Sequence, residues 1–214
     1  MIRITNIEVE GWRAAIRGMR NPMNSWDRSD SFLDGDLSYS IADVGEHDLA
    51  LMRRLIKAGS DHSKFMRMIT VSMDIEAPLY WWKEYDTYKV GTVANSCSTM
   101  HRIHSRSLTL HDFSHEHLDR ESLDFLGQLI RYLNERRHAF VTKKEKEDWW
   151  QMIQLLPSSY NQKRTVLVNY AVLQKMYHAR KNHKLDEWRV FCQHVEVLPF
   201  AKELIVGKSD DEEA

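Results

Sequence analysis

The strongest constraint on the fold is an alternation between residues 69 and 75. Ile69, Val71, Met73 and Ile75 alternate with Thr70, Ser72, Asp74 and Glu76, the two-residue period of a half-buried β-strand. Pro78 ends the ladder because it has no N–H to donate. Behind it stand Tyr80, Trp81 and Trp82, then Lys83, Glu84, Tyr85, Asp86, Thr87, Tyr88 and Lys89. Gly91 opens a run of small and hydroxylated residues from Thr92 to Thr99. Flat surfaces, fixed charges and a small polar loop suit a pocket that stacks a ring and hydrogen-bonds a polar ligand. The same residues suit a packed core helix followed by a surface loop, and periodicity alone favours that reading, since aromatic side chains most often fill cores.

Around this stretch the pattern predicts mixed α/β architecture. Ile2, Ile4, Ile7 and Val9 read as a first strand with an irregularity, ending at Gly11. Residues 12–26 read as a short helix stopped by Gly18 and by Asn21-Pro22, and residues 27–43 as a loop. Leu49, Met52, Leu55 and Ile56 recur at helical spacing, with Gly59 where a C-cap belongs. Leu123, Leu126, Leu129, Ile130 and Leu133 share a helix face over residues 121–137. The charge run 143–148 reads as the solvated first turn of a helix through Trp149, Trp150, Met152 and Ile153, closed by Pro157. Residues 165–180 read as a buried helix and residues 185–198 as an amphipathic one. The acidic end reads as a disordered tail over residues 207–214, after one domain over residues 1–206.

Composition narrows the partners. The 214 residues carry a net charge of -1, so no basic field points to nucleic acid. A mean hydropathy of -0.54 argues against a membrane span, and the first residues lack the apolar centre of a signal peptide. Two cysteines, Cys97 and Cys192, are too few for a disulfide framework and predict a reducing, cytoplasmic setting. His104, His111, His115 and His117 cluster in sequence, and His111, Asp112 and His115 have one-turn spacing. Without an HExxH arrangement they are read as solvated or capping residues, with no metal expected, and Ser114-His115-Glu116 as a helix start.

Three pieces together resemble the flavin-dependent thymidylate synthase family. Gly59-Ser60-Asp61-His62-Ser63-Lys64-Phe65 is similar to the family's Gly-x-x-His-x-Ser/Thr-Pro-Phe. Ala77-Pro78-Leu79-Tyr80 resembles the strand end before its Arg-His-Arg signature. Leu156-Pro157, Asn169 and Arg180 follow the order of the family's Leu-Pro, Asn-x-Arg and later arginine. The resemblance spans most of residues 2–205. At the signature this chain has Thr87-Tyr88-Lys89. The family's Ser-x-Arg-Tyr becomes Ser98-Thr99-Met100-His101, with Arg102 two places late. Ala171 stands where Asn-x-Arg needs its arginine, and Met66-Arg67 where a glutamate follows the phenylalanine.

The resemblance implies a central antiparallel sheet flanked by helices, assembled as a homotetramer. It implies an enzyme that methylates C5 of dUMP or a related deoxynucleotide, with FAD as cofactor, methylenetetrahydrofolate as co-substrate and NADPH as reductant. His62, Ser63, Thr87, Tyr88, Lys89, Val90 and Asn169 would then hold the flavin. Glu84, Ser96, Ser98, Arg102 and Arg180 would hold the nucleotide, Arg180 as the catalytic arginine. The residues fit that demand in kind. Phosphate wants arginine forks, for which Arg102, Arg164 and Arg180 are available beside Lys89. The flavin ring wants a flat neighbour, for which Tyr88, Trp81 and Trp82 are candidates. The altered signature also fits a homologue that binds a nucleotide or serves assembly without flavin, or one acting on a different nucleotide.

Overall fold

The computed structural model describes residues 1–31 and 44–207. The loop expected across residues 32–43 and the acidic tail from residue 208 lie outside the described residues. In chain order the elements are β1 (Arg3–Glu10), α1 (Trp12–Arg20), α2 (Glu46–Lys57), β2 (Thr70–Pro78), α3 (Leu79–Tyr85) and β3 (Thr92–Ser96). They continue with α4 (Thr99–Arg102), α5 (Arg120–Lys143), α6 (Lys146–Leu155), β4 (Asn161–Asn169), α7 (Tyr170–Arg180) and α8 (Asp186–Glu196). Short 3-10 turns lie at Asn21–Met23, Trp26–Arg28, Lys64–Arg67 and Leu110–Asp112, and a π-helical turn at Lys202–Val206. The protein is a mixed helix and sheet fold with a four-stranded antiparallel sheet in the order β1-β2-β4-β3. The chain divides into two compact units. One comprises residues 1–3, 75–87 and 95–164, the other residues 4–74, 88–94 and 165–214.

β2 behaves as its alternation demands. Val71, Met73, Ile75 and Ala77 are buried while Thr70, Ser72, Asp74 and Glu76 are half-exposed. The half-exposed positions make cross-strand polar pairs: Asn6 Nδ2 and Thr165 Oγ1 donate to Asp74 at 2.9 and 2.6 Å, and Ser72 Oγ to Glu8 at 3.2 Å. β1 carries the irregularity expected in it at Asn6, whose φ is 53°. Gly11 starts α1 at φ 91°, and a Cβ there would lie 1.9 Å from the Met68 carbonyl oxygen, so only glycine allows this approach.

Several expectations are corrected. α1 runs through Gly18 and ends where Asn21-Pro22 begins a 3-10 turn. Residues 165–180 are not one helix. Val166 and Val168 are buried on either side of the exposed Leu167, so this part is strand, and α7 begins only after Asn169. β-Branched residues spaced two apart satisfy a strand as readily as a helix face, and pairing with β2 decides between them. Thr92–Ser96, read as loop, is an exposed strand at the sheet edge, which small polar residues allow. α5 starts at Arg120, capped by Asp119, whose carboxylate accepts from Ser122 N, and continues past residue 137 to Lys143; Ser114-His115-Glu116 starts no helix.

In the first unit, Ile103, Leu108, Phe113, Leu126, Ile130, Leu133 and Met152 form a buried cluster where α5 packs on α6. Trp81, Trp82 and Tyr85, on α3, are also buried, their rings 4.9 to 5.2 Å apart between centroids. This settles the aromatic run as core. Trp81 and Trp82 are 0% and 1% exposed and are therefore not flavin platforms. In the second unit, α7 packs against α8, against Lys64–Arg67 and against the π-helical turn. Arg20 and Asp48, both buried there, form an ion pair at 2.6 Å.

Candidate functional site

The second unit holds the loop that carries Tyr88 and Lys89 of the altered signature. Tyr88 is half-buried, Lys89 is exposed and Val90 is 88% exposed. The turn is fixed at both ends. Thr92 Oγ1 donates to the Tyr88 carbonyl. Gly91 adopts φ 81°, where a Cβ would lie 2.8 Å from Asn169 Nδ2, so the loop needs glycine for both conformation and space. Asn169 is not inside an apolar helix. It is the N-cap of α7, its Oδ1 accepting from Val172 N at 3.0 Å.

Arg180 ends α7, where basic residues complement the helix dipole. The chain then turns back so that α8 presents Trp188, fully buried, to the same place. Arg180 Nε donates to the Tyr88 hydroxyl at 3.0 Å. Its guanidinium carbon lies 4.9 Å from the Trp188 ring centroid and 5.7 Å from that of Tyr88. Such contacts contribute about 0.5–2 kcal/mol each, more where water is excluded. His62 and Ser63, in the same unit, follow the helix-ending Gly59 and donate their backbone N–H groups to its carbonyl, both at 3.1 Å. His62 is exposed and Ser63 half-buried.

In the first unit the remaining candidates occupy two local structures. Thr87 Oγ1 donates to the Glu84 carbonyl at 2.7 Å, so this hydroxyl closes α3. Ser98 is the N-cap of α4, its Oγ accepting from His101 N at 3.2 Å, while Ser96 and Arg102 are exposed. Arg164, a phosphate candidate by sequence, is committed elsewhere. It donates to Asp86 at 2.7 Å and to Gln162 Oε1 at 3.0 Å, and its guanidinium lies 4.2 Å from the Trp82 ring centroid. Gln162 Nε2 in turn donates to the Cys97 carbonyl at 3.0 Å and to Thr99 Oγ1 at 3.1 Å. This chain of contacts, which sequence reasoning missed, braces the end of β3 and the turn that carries Ser98. The only signal for it was polar residues at alternate positions of a strand not recognised as one.

A polar cavity of about 490 Å³ also lies in the first unit, lined by Arg3, Glu76, Arg106, Asp112, His115 and Asn161 among others. Its charges are internally paired, Arg3 with Glu76 and Arg106 with Asp112. Burial pushes the Asp112 carboxyl up, but the hydrogen bond from Arg106 and those from Thr109 hold it below the usual aspartate value. The His111-Asp112-His115 spacing therefore places a carboxylate already held by arginine between two histidines, and His115 Nδ1 is bonded to the Phe113 carbonyl at 2.8 Å. Among the described residues no group of three His, Cys, Asp or Glu side chains is arranged to hold a metal ion, and no helix is long and apolar enough to cross a membrane.

The two thiols differ sharply. Cys97 is exposed and Cys192 buried, and burial, then the nearby Glu196 carboxylate, push the Cys192 thiol up to about 11. In native protein at about pH 8, Ellman's reagent should label Cys97 rapidly and Cys192 only after denaturant is added. Two equally fast thiols would contradict the burial of α8.

No family model and no curated protein matches the sequence. Among solved structures, a crystal structure of flavin-dependent thymidylate synthase ThyX from Helicobacter pylori complexed with FAD and dUMP matches with TM-score 0.65 and 15% identity. The match covers 94% of this chain and 98% of that one. A second structure of the same synthase with FAD and dUMP, at 2.31 Å, matches with TM-score 0.66 and 15% identity over 96% and 97% of the two chains. The chain is similar in fold to these flavin-dependent thymidylate synthases. The likeness extends over nearly the full length of both proteins, so the fold is matched as a whole.

Proposed function

We propose that this chain is a flavin-dependent thymidylate synthase-like enzyme, methylating C5 of dUMP or a related deoxynucleotide. FAD would be the cofactor, methylenetetrahydrofolate the one-carbon donor and NADPH the reductant. The observation that carries the reading is the near-complete fold match to two synthase structures holding FAD and dUMP. The donor set fits an anionic nucleotide with fewer cations than the family signature supplies. Lys89 is exposed beside Tyr88, and Arg180 is held in a defined orientation. By the family resemblance alone, Ser96, Ser98 and Arg102 would supply hydroxyls and a guanidinium. When bound, FAD supplies the reducing chemistry; the protein's residues orient the nucleotide and neutralise its phosphate. We further propose one functional domain over residues 1–206, a homotetramer and a cytoplasmic setting.

The substitution of Thr87-Tyr88-Lys89 favours a second reading, a nucleotide-binding or regulatory homologue without flavin. Losing a bidentate phosphate contact would cost roughly 1.5–3 kcal/mol, and the Thr87 hydroxyl is spent on the Glu84 carbonyl. The test is a visible absorption spectrum of purified protein after incubation with excess FAD and desalting. About one flavin retained per chain supports the enzyme reading. A colourless protein that still binds dUMP supports the second.

A further inference from the structure

We infer that Tyr88 is the positioning residue for Arg180 in nucleotide binding and not the stacking platform of the flavin. The inference deepens the functional reading above and rests on it. Arginine side chains are flexible, and one that must meet an anion gains affinity if its orientation is set beforehand. Here Tyr88 and Trp188 both help to set it. The Tyr88 hydroxyl accepts from Nε at 3.0 Å, the Trp188 ring lies under the guanidinium at 4.9 Å, and the Tyr88 ring stands at 63° to that of Trp188, 6.2 Å between centroids. A guanidinium donates in one plane, so fixing Nε and the face fixes the direction of the remaining N–H groups.

The Tyr88 side of the arrangement is equally constrained. Its loop is anchored by Thr92 at the Tyr88 carbonyl and by the close pass of Gly91 over Asn169. Asn169 in turn is held as the cap of the helix that ends in Arg180. The loop residue, the helix cap and the terminal arginine are thus one local construction within a single unit, its Trp188 floor rigidly packed against Phe191 at 5.6 Å. A ring already committed to a guanidinium is a poor platform for a second large ring, whereas its hydroxyl is placed to orient the arginine. Where the family signature carries histidine, this chain spends the position on Arg180.

Dissociation constants for dUMP are measured by calorimetry for wild type, Y88F, R180A and the double variant, with FAD retention measured on the same samples. Y88F keeps the ring and removes the hydroxyl, so it should weaken dUMP roughly two- to tenfold, the range of one ordinary intramolecular hydrogen bond. FAD retention should stay unchanged. R180A should weaken dUMP at least about tenfold, and Y88F added to R180A should cost nothing further, because the hydroxyl acts only through the guanidinium. Equal dUMP affinity in wild type and Y88F, additive losses in the double variant, or loss of FAD from Y88F with dUMP binding intact would each overturn the positioning role. Wild-type protein that binds neither dUMP nor FAD would instead overturn the functional reading itself.

Discussion

Asp48→Ala should lower the free energy of unfolding by about 3–5 kcal/mol, the usual cost of removing one partner from a buried ion pair. Asp48 is 0% exposed and Arg20 4%. The Asp48 carboxylate accepts from Arg20 Nε at 2.6 Å, from Ser29 Oγ and Ser31 Oγ, each at 2.6 Å, and from Ser31 N at 3.2 Å. Arg20 also donates to the Ser25 and Arg28 carbonyls at 3.0 and 2.9 Å. Truncating Asp48 leaves a guanidinium buried without its counter-ion and removes the acceptor of three further donors, on the exposed Ser29 and the half-buried Ser31. Asp48→Asn keeps one acceptor oxygen but no charge and should fall between wild type and alanine. Urea titration followed by circular dichroism reads the change as a shifted midpoint at constant slope. A loss below about 1 kcal/mol for the alanine variant would show that the pair does not hold α1 to α2.

Trp82→Ala should have a comparable effect for a different reason. The Trp82 ring is 1% exposed, packs edge-to-face on Trp81 at 4.9 Å and carries Arg164 on its face at 4.2 Å. Its Nε1 donates to the Gln162 carbonyl at 2.9 Å. Removing a buried tryptophan costs about 3–5 kcal/mol through lost transfer energy and the cavity left behind. For a chain of this size that is a fall in melting temperature of roughly 6–20 °C. Trp82→Phe retains most of the apolar area but not the N–H, so it isolates the hydrogen bond, about 1–3 kcal/mol where the acceptor stays buried. Thermal unfolding of the three proteins gives the ordering wild type, phenylalanine, alanine. An alanine variant that melts within about 2 °C of wild type would mean the site collapses without strain.

The sequence was most legible where one physical signal acted alone. The alternation around Val71 and Met73 identified the central strand because burial on one face imposes a period of two on its own. The regularly spaced leucines of α5 identified that helix, although not its last turn, where the pattern weakens into Phe140 and Val141. It was least legible where two periodicities share the same residues. Val166, Val168, Val172 and Leu173 satisfy a helix as well as a strand followed by a helix, and only the hydrogen bonds offered by β2 decide. β3 carried no alternating hydrophobic signal, its one large apolar residue, Val93, being exposed, because an exposed edge strand needs none.

The candidate site divides the same way. From the sequence came its inventory: an aromatic and a lysine just before Gly91, an asparagine within the helix expected over residues 165–180, and an arginine at that helix's end. Sequence also favoured a core role for Trp81, Trp82 and Tyr85, since large rings crowded into one short segment are costly to leave in water. Tertiary structure alone decided the contacts. It paired Arg164 with Asp86 and Trp82, made Asn169 a helix cap, and joined Tyr88 to Arg180 across 92 residues of chain. It also created the Arg20–Asp48 pair, which no local pattern announces. Periodicity reports how each segment meets water, a property of neighbouring residues; which buried charge meets which partner depends on distances that exist only once the segments have packed.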